Sequence, residues 1–506
     1  MLDIIFCAIP IREMDQIYSA PAILKSIVQE NGYKAQTKDF GVDLLDLCER
    51  DPELFIRVQN HFQVADSPLT ASELKILDQF YQKIVDYFKQ NPSHYIGFSV
   101  FSFLTHKALL EIVRVLKENN IKSKIVIGGR GVKVSPFSSI EKLIKLNALD
   151  KTQQFGQILV RKKIVDHCIV GDGEDAILNL LENKPIQDVN STDTFEYPLP
   201  DYSDYEFDKY IWENNEIMFP ITGSKGCVRH CDFCDIQHQF GRYKYRSGRD
   251  IANEMIKISH KYGYRKFQFT DSLVNGGLKP LEEFCTILAE YNDTHPDHKI
   301  YWNGQYVCRP EEHMPERFYP LMARAGAHGL TIGAESGSNH VLEHMNKKTS
   351  VEALLYELKL FEKYGITCQL LTFVGHWAET DKDFVDHCRM LIDIAPYAHS
   401  GTISGVSLGS VAAILDGTPS INEVKEGNLI QSTFEKELVW YATYNPGNDF
   451  KERVRRRIIT HQLAKQLKLP IVDEIEFLTY LNTLVELRHT KINKFYEDIR
   501  KNNKQS

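Results

Sequence analysis

Three of the chain's ten cysteines fall within eight residues, in G-S-K-G-C-V-R-H-C-D-F-C. The C-x3-C-x2-C spacing puts Cys227, Cys231 and Cys234 on one loop, where they can wrap a single metal centre. Thiolates are the natural ligands of iron–sulfur clusters. Three of them on a four-iron cube leave one iron with an open position. A structural zinc site is the competing chemistry, and His230 or His238 could supply its fourth ligand. The apolar run I-M-F-P-I-T precedes the loop, so the cysteines are expected at the carboxyl end of a strand, where α/β barrels carry their chemistry.

Other polar residues recur at the ends of apolar runs. In G-L-T-I-G-A-E-S-G, Glu335 closes a strand and is expected to point its carboxylate into a barrel mouth. A carboxylate there needs partners, which ribose hydroxyls, an ammonium or neighbouring backbone amides would provide. Lys347 and Lys348, a little further on, are expected on a solvated helix end. In C-Q-L-L-T-F-V-G-H-W-A-E-T, His376 is a candidate proton donor or ligand, and Trp377 is either a substrate platform or a hydrophobic plug. The strand at 302–306 offers one of Asn303 and Gln305 to the same cavity. In K-E-R-V-R-R-R, Arg453 and Arg456 either bind an acidic substrate or form a solvated helix face.

These residues need a scaffold of alternating strands and helices. Residues 1–185 place apolar runs at 2–9, 94–101, 123–129 and 165–170 between amphipathic stretches such as 20–31 and 106–119. That alternation predicts a Rossmann-like, doubly wound parallel sheet, with a helical insertion at about 41–90. Residues 186–215 are acidic, prolyl and poor in helix formers, the composition of a linker. From 216 to 420 six strand candidates (217–222, 265–270, 299–305, 329–334, 367–374 and 402–409) each precede a helical pattern. They predict a partial (β/α)6 barrel of the TIM type. The remainder, 421–506, reads as a helical cap.

Composition narrows the classes further. The 506 residues carry 60 Lys and Arg against 68 Asp and Glu, a formal charge of −8. That balance argues against a protein that coats nucleic acid or anionic membrane. No run approaches a membrane span. The first apolar stretch contains Asp3 and stops at Arg12, so no signal peptide is expected and the protein is expected to be cytoplasmic. Scattered Cys7, Cys48, Cys168, Cys285, Cys308, Cys368 and Cys388 read as small buried hydrophobes in a reducing compartment.

On these motifs the segment 216–420 resembles the radical S-adenosylmethionine (radical SAM) superfamily. The resemblance implies that Cys227, Cys231 and Cys234 ligate a 4Fe-4S cluster whose open iron binds S-adenosylmethionine. Reductive cleavage there yields a 5′-deoxyadenosyl radical. It also implies that Phe233 lies near the adenine, that Asp271 and Ser272 stand where the family contacts the methionine amino group, and that Glu335 and Ser336 belong to the family's Glu-Ser-Gly segment. Two departures stand out. The second strand lacks the usual Gly-Gly-Glu, and His376, Trp377 and Ala378 replace the middle of the usual Gly-Leu-Pro-Gly-Glu-Thr.

I-G-F-S-V-F-S, V-I-G-G-R-G-V and I-V-G-D-G-E-D-A are similar to the cobalamin-binding-type domain that precedes many radical SAM barrels. Gly128, Gly129, Gly171 and Gly173 are the expected contacts, since glycine lets backbone approach a ligand at the sheet's carboxyl edge. The Asp-x-His-x-x-Gly sequence of one large cobalamin class is absent, so a sheet that has lost the cofactor stays open as an alternative. The expected reaction is methylation of an unactivated carbon. A cobalamin-free oxidation, cyclisation or rearrangement is the alternative, and a non-catalytic cluster-binding or sensing protein is the remote one. A methylthiotransferase would need three more amino-terminal cysteines; only Cys7 and Cys48 precede Cys168. The expected partners are a small-molecule or peptide substrate and a reductant such as flavodoxin or ferredoxin, with no nucleic acid.

Overall fold

The structure is a computed structural model that describes residues 1–10, 17–63, 68–134, 144, 153–186, 193–211, 217–473 and 475–502. The chain divides into two units, Met1–Pro220 and Ile221–Ser506.

In the first unit, strands Leu2–Ala8, Ala35–Asp39, Ser93–Ser99, Lys124–Gly128 and His167–Ile169 form one parallel sheet. In space, Ala35–Asp39 lies at one edge, followed by Leu2–Ala8, Ser93–Ser99, Lys124–Gly128 and His167–Ile169. Strand alternation feeds two cores. Ile4, Phe6, Val126 and Ile169 pack with Val28, Ala176 and Ile177 on one face. Ile5, Cys7, Ile96, Phe98 and Ile127 pack with Phe40, Phe80, Ile84, Leu109 and Ile158 on the other. This is the expected doubly wound arrangement, and its strand order reverses between Leu2–Ala8 and Ser93–Ser99. The sequence reading missed Ala35–Asp39, because A-Q-T-K-D at a sheet edge has no apolar run to mark it.

The 41–90 insertion is three helices, Phe40–Leu47, Pro52–Gln63 and Ala71–Gln90, the last started by a Thr70–Glu73 capping box. The segment read as a linker is docked where it is described. Tyr202 is buried, and Asp204 Oδ2 accepts from Lys25 Nζ at 2.6 Å and from the Thr37 amide at 2.8 Å.

The six strands expected between 217 and 409 are present, the first of them, Met218–Ile221, crossing the division between the units. Met218–Ile221, Lys266–Phe269 and Tyr301–Asn303 form one sheet; Gln305–Tyr306, Leu330–Glu335, Cys368–Thr372 and Ile403–Ser407 form another. Gly304 is the joint between them. A Cβ there would meet Val274 Cγ1 at 2.4 Å, so only glycine lets the third strand bend and pair with both neighbours. Asn303 is half-buried and Gln305 exposed at that bend. The tail is not helical throughout. An antiparallel hairpin, Leu429–Gln431 with Trp440–Ala442, precedes helices Phe450–Gln466 and Ile475–Asn502. Among the described residues no helix is long and apolar enough to cross a membrane.

One buried carboxyl yields a stability prediction. Glu357 is fully buried, accepts from the Arg309 amide at 2.6 Å, and is pushed up to about 7 by burial. A carboxyl raised on folding stabilises the fold most below its ordinary pKa, and that contribution is lost as pH rises through about 7. Wild type should therefore lose stability relative to Glu357→Gln at about 1.4 kcal/mol per pH unit in that window. Denaturation titrations at pH 5 and pH 8 check this; a difference between the two proteins that does not change with pH would refute it.

Candidate functional site

The cysteine loop begins where the first barrel strand ends, and Asp271 anchors that start. Its Oδ1 accepts from the Gly223 amide at 2.7 Å and its Oδ2 from Ser224 Oγ at 2.6 Å. Burial raises its carboxyl to about 6. Both oxygens are thus engaged by the loop's entry, while Ser272 is half-buried beside it. A short ribbon, Ser224–Lys225 with Lys244–Tyr245, flanks the same entry.

Cys231 is buried, and Cys227 and Cys234 are half-buried. The three thiols lie in one another's electrostatic field. Burial pushes the Cys231 thiol up to about 12 and also raises that of Cys234, while the Lys347 charge opposes both shifts. The Arg229 amide donates to Cys227 Sγ at 3.4 Å, and the Ile236 amide to the Cys234 sulfur. Gln237 Nε2 ties the loop together through the carbonyls of Cys227 and Arg229. His230 and His238 are exposed, and among the described residues no three His, Cys, Asp or Glu side chains are gathered as a site for a metal ion. The donor set itself, three thiols on one loop with amides aimed at two sulfurs, fits an iron–sulfur cluster, whose positive irons would hold the thiols ionised against burial.

Glu335 ends the strand Leu330–Glu335 in the left-handed region, at φ 59°, where the register with the next strand shifts. Its carboxylate reaches Lys347 Nζ at 2.5 Å. Gly333 makes room for this pair, since a Cβ there would lie 2.5 Å from Glu335 Oε1 and 2.8 Å from Lys347 Nζ. The expectation for Lys347 is corrected: it is buried, whereas Lys348 is exposed. Asn346 and Lys348, on either side of Lys347, both adopt positive φ, 54° and 56°. Lys347 Nζ also lies over the Phe233 ring, 5.8 Å from its centroid. Phe233 packs edge-on against Phe373. Ser336 is buried, and its hydroxyl accepts from the Ser338 amide. Phe233, Glu335, Cys231 and Cys234 are therefore neighbours around one lysine that sequence reasoning had placed in solvent.

In the turn after Cys368–Thr372 the structure chooses between the two readings of Trp377. Trp377 is the hydrophobic plug, buried against Trp440, Ala412 and Ile414. His376 is fully buried, and burial lowers its pKa. Arg453 and Arg456 are buried and do not form the solvated helix face. Arg453 stacks on Trp440 with its guanidinium carbon 3.6 Å from the ring centroid. Arg456 pairs with Glu379 at 2.8 Å, with Asp381 at 2.8 Å and with Glu452 at 3.0 Å. The run K-E-R-V-R-R-R shows only Glu452; Glu379, Asp381 and Trp440 lie elsewhere in the chain.

In the first unit the nominated glycines sit at the carboxyl ends of adjacent strands. Gly129 has φ 105°, and a Cβ there would lie 2.7 Å from the Val100 carbonyl oxygen. The fold itself therefore demands glycine at 129, whatever ligand lies beyond it. Gly171 is also at positive φ, 99°. A Cβ on Gly128 or Gly173 meets only ordinary contacts, Ile169 at 3.7 Å and Leu24 at 3.5 Å. Phe101, Phe103 and Leu104 are exposed just beyond Ser93–Ser99, beside the strand-order reversal where doubly wound sheets bind ligands. The sequence reading quoted Phe101 within I-G-F-S-V-F-S but nominated only glycines as contacts, because exposure is not written in an apolar run. Apolar side chains beside glycine-ended strands suit a flat macrocycle.

Residues 221–391 match the Radical SAM superfamily. The chain is 27% identical over 192 residues to cytidylyl-2-hydroxyethylphosphonate methyltransferase of Streptomyces wedmorensis, covering 35% of this chain and 34% of that protein. It is 23% identical over 342 residues to the anaerobic magnesium-protoporphyrin IX monomethyl ester cyclase of Cereibacter sphaeroides, covering 60% and 54%. The chain thus spans between about a third and about half of the length of these curated relatives. Its fold is similar to that of the radical S-adenosylmethionine methyltransferase TsrM from Kitasatospora setae, solved with cobalamin and a [4Fe-4S] cluster bound. That likeness has a TM-score of 0.66 at 14% identity and covers 99% of this chain and 100% of that one. It is also similar to the cobalamin-dependent S-adenosylmethionine radical enzyme OxsB with aqua-cobalamin bound, with a TM-score of 0.61 at 15% identity, covering 98% and 72%.

Proposed function

We propose, from the match of residues 221–391 to the Radical SAM superfamily, that the protein uses a 4Fe-4S cluster and S-adenosylmethionine to methylate an unactivated carbon with the help of cobalamin. The observation that carries the reading is the three-thiol loop at the end of the first barrel strand, with the Glu335–Lys347 pair beside it. When bound, the cluster supplies the electron that cleaves S-adenosylmethionine to a 5′-deoxyadenosyl radical, and cobalamin supplies a transferable methyl group.

The chain's own residues hold and orient. Cys227, Cys231 and Cys234 are the proposed ligands. Phe233 gives the adenine an apolar wall, Lys347 offers a buried cation for the methionine carboxylate, and Glu335 holds that lysine in place and accepts from the ligand's hydroxyls or ammonium. Ser272 and Ser336 are proposed as further polar contacts of the same ligand. Asp271 acts by holding the loop's entry. Gly128, Gly171 and Gly173, with Phe101 and Leu104, are the proposed cobalamin edge, and Gly129 supports its geometry. The electron is proposed to come from a reductant such as flavodoxin or ferredoxin, in the cytoplasm.

The deciding experiment supplies S-adenosylmethionine with a deuterated methyl group to anaerobic, reduced protein that was made with abundant cobalamin. The expected result is 5′-deoxyadenosine and a labelled product. Turnover by protein that binds no cobalamin would replace methylation with a cobalamin-free radical reaction. Absence of 5′-deoxyadenosine under every reductant would leave only a cluster-binding protein. Gly173→Val should lower cobalamin content and spare iron, since the chain itself leaves room there. Unchanged cobalamin content would remove Gly173 from the site.

Glu335→Gln should weaken S-adenosylmethionine binding by about 1–3 kcal/mol, the scale of a disturbed charged hydrogen bond. Lys347 would then be left buried without its counter-ion. Equilibrium dialysis measures this, with iron content as the control. Wild-type affinity would show that the pair is only structural.

A further inference from the structure

The backbone carbonyls of the turn Gly375–Thr380 are held from outside the turn. Three side chains from one distant segment hold them. Asn448 Nδ2 donates to the His376 carbonyl at 2.7 Å, and Asn445 Nδ2 to the carbonyls of Trp377 at 3.0 Å and Glu379 at 2.9 Å. Arg456 Nη1 donates to the Glu379 carbonyl at 3.2 Å. The Arg453 side chain lies against Gly375, where a Cβ would meet its Cγ and Cδ at 2.6 Å.

So held, the imidazole of His376 has a defined tautomer. The Ala378 amide donates to Nδ1 at 3.3 Å, which leaves Nε2 to carry the proton. Nε2 donates to Asp232 Oδ2 at 3.2 Å. Asp232 lies between Cys231 and Cys234, and its backbone is gripped on both sides: its amide donates to the Met345 carbonyl at 3.1 Å, and its carbonyl accepts from the Ser420 amide at 2.9 Å. Its other carboxylate oxygen is buried with no hydrogen-bond partner in the structure.

We propose that His376 is a positioning residue for the cysteine loop, acting through Asp232, and that the segment 445–456 is part of this site because it fixes the turn that carries His376. The inference borrows the cluster reading only for its iron measurements; amide exchange in metal-free protein tests it independently.

The experiment compares full-length wild type, His376→Phe, Asp232→Leu and Asp232→Asn, with His376→Phe/Asp232→Leu as the double variant. Phenylalanine keeps a buried ring and removes the donor; asparagine keeps an acceptor oxygen. In metal-free protein, amides of 227–236 should exchange about tenfold faster in His376→Phe and Asp232→Leu, the scale of one buried hydrogen bond. Asp232→Asn should stay near wild type, and the double variant should be no worse than either single one. After anaerobic reconstitution the same two single variants should bind less iron, and the cluster they retain should show a shifted midpoint potential. If His376→Phe does not fold, the two Asp232 variants decide, since they leave His376 in place. Wild-type exchange in Asp232→Leu, or additive effects in the double variant, would overturn the proposal. Loop protection that follows the prediction in protein that takes up no iron would sustain the positioning role and overturn the cluster reading instead.

Discussion

Protein with Cys227, Cys231 and Cys234 all replaced by alanine should bind no cluster iron after anaerobic reconstitution, lose its brown absorbance, and form no 5′-deoxyadenosine. The effect should be total, because three ligands on one loop have no substitute nearby. His230 and His238, the nearest other donors in the sequence, are exposed. Stability should change little by comparison, since Cys231 alone of the three is buried. Iron analysis, visible spectra and product chromatography of wild type and variant measure this side by side. Zinc in wild type with no iron uptake, or full iron in the variant, would overturn the assignment.

Replacing Arg456 by methionine should produce a large loss of stability. The Arg456 side chain is 3% exposed and Glu379 is 1% exposed, so removing the cation strands a carboxylate in the interior. Breaking a buried pair in this way typically costs about 3–5 kcal/mol. Glu379→Gln added to Arg456→Met should restore much of it, because a neutral amide needs no counter-ion. Denaturant unfolding of the three proteins gives the answer. A loss below about 1 kcal/mol would place Arg456 among exposed surface pairs instead.

The outline of both units was legible because it rests on short-range pattern. Each apolar run from 217–222 to 402–409 became a strand, and the C-x3-C-x2-C spacing put three thiols on one loop whatever the surroundings. The first sheet was legible apart from Ala35–Asp39, whose polar side chains gave no pattern. The tail was read as helical, yet Leu429–Gln431 and Trp440–Ala442 form a hairpin, since segments of three residues lie below the reach of periodicity.

Partner choice was not legible. Lys347, Arg453 and Arg456 are all lysine or arginine in charged runs, and a charged run normally means a solvated face. Their burial depends on carboxylates and rings that lie 12 to 77 positions away in sequence, Glu335, Trp440 and Glu379. Gly129 shows the same limit. Its need for glycine follows from the Val100 carbonyl, which only the folded sheet brings near. The sequence by itself determined the element types, the parallel architecture and the thiol loop, because these follow from periodicity and covalent spacing. The tertiary structure alone decided that Lys347 faces Glu335, that His376 reaches Asp232, and that 445–456 supports the turn between them. Those are contacts between distant segments, and their energy exists only once desolvation and packing have brought the groups together.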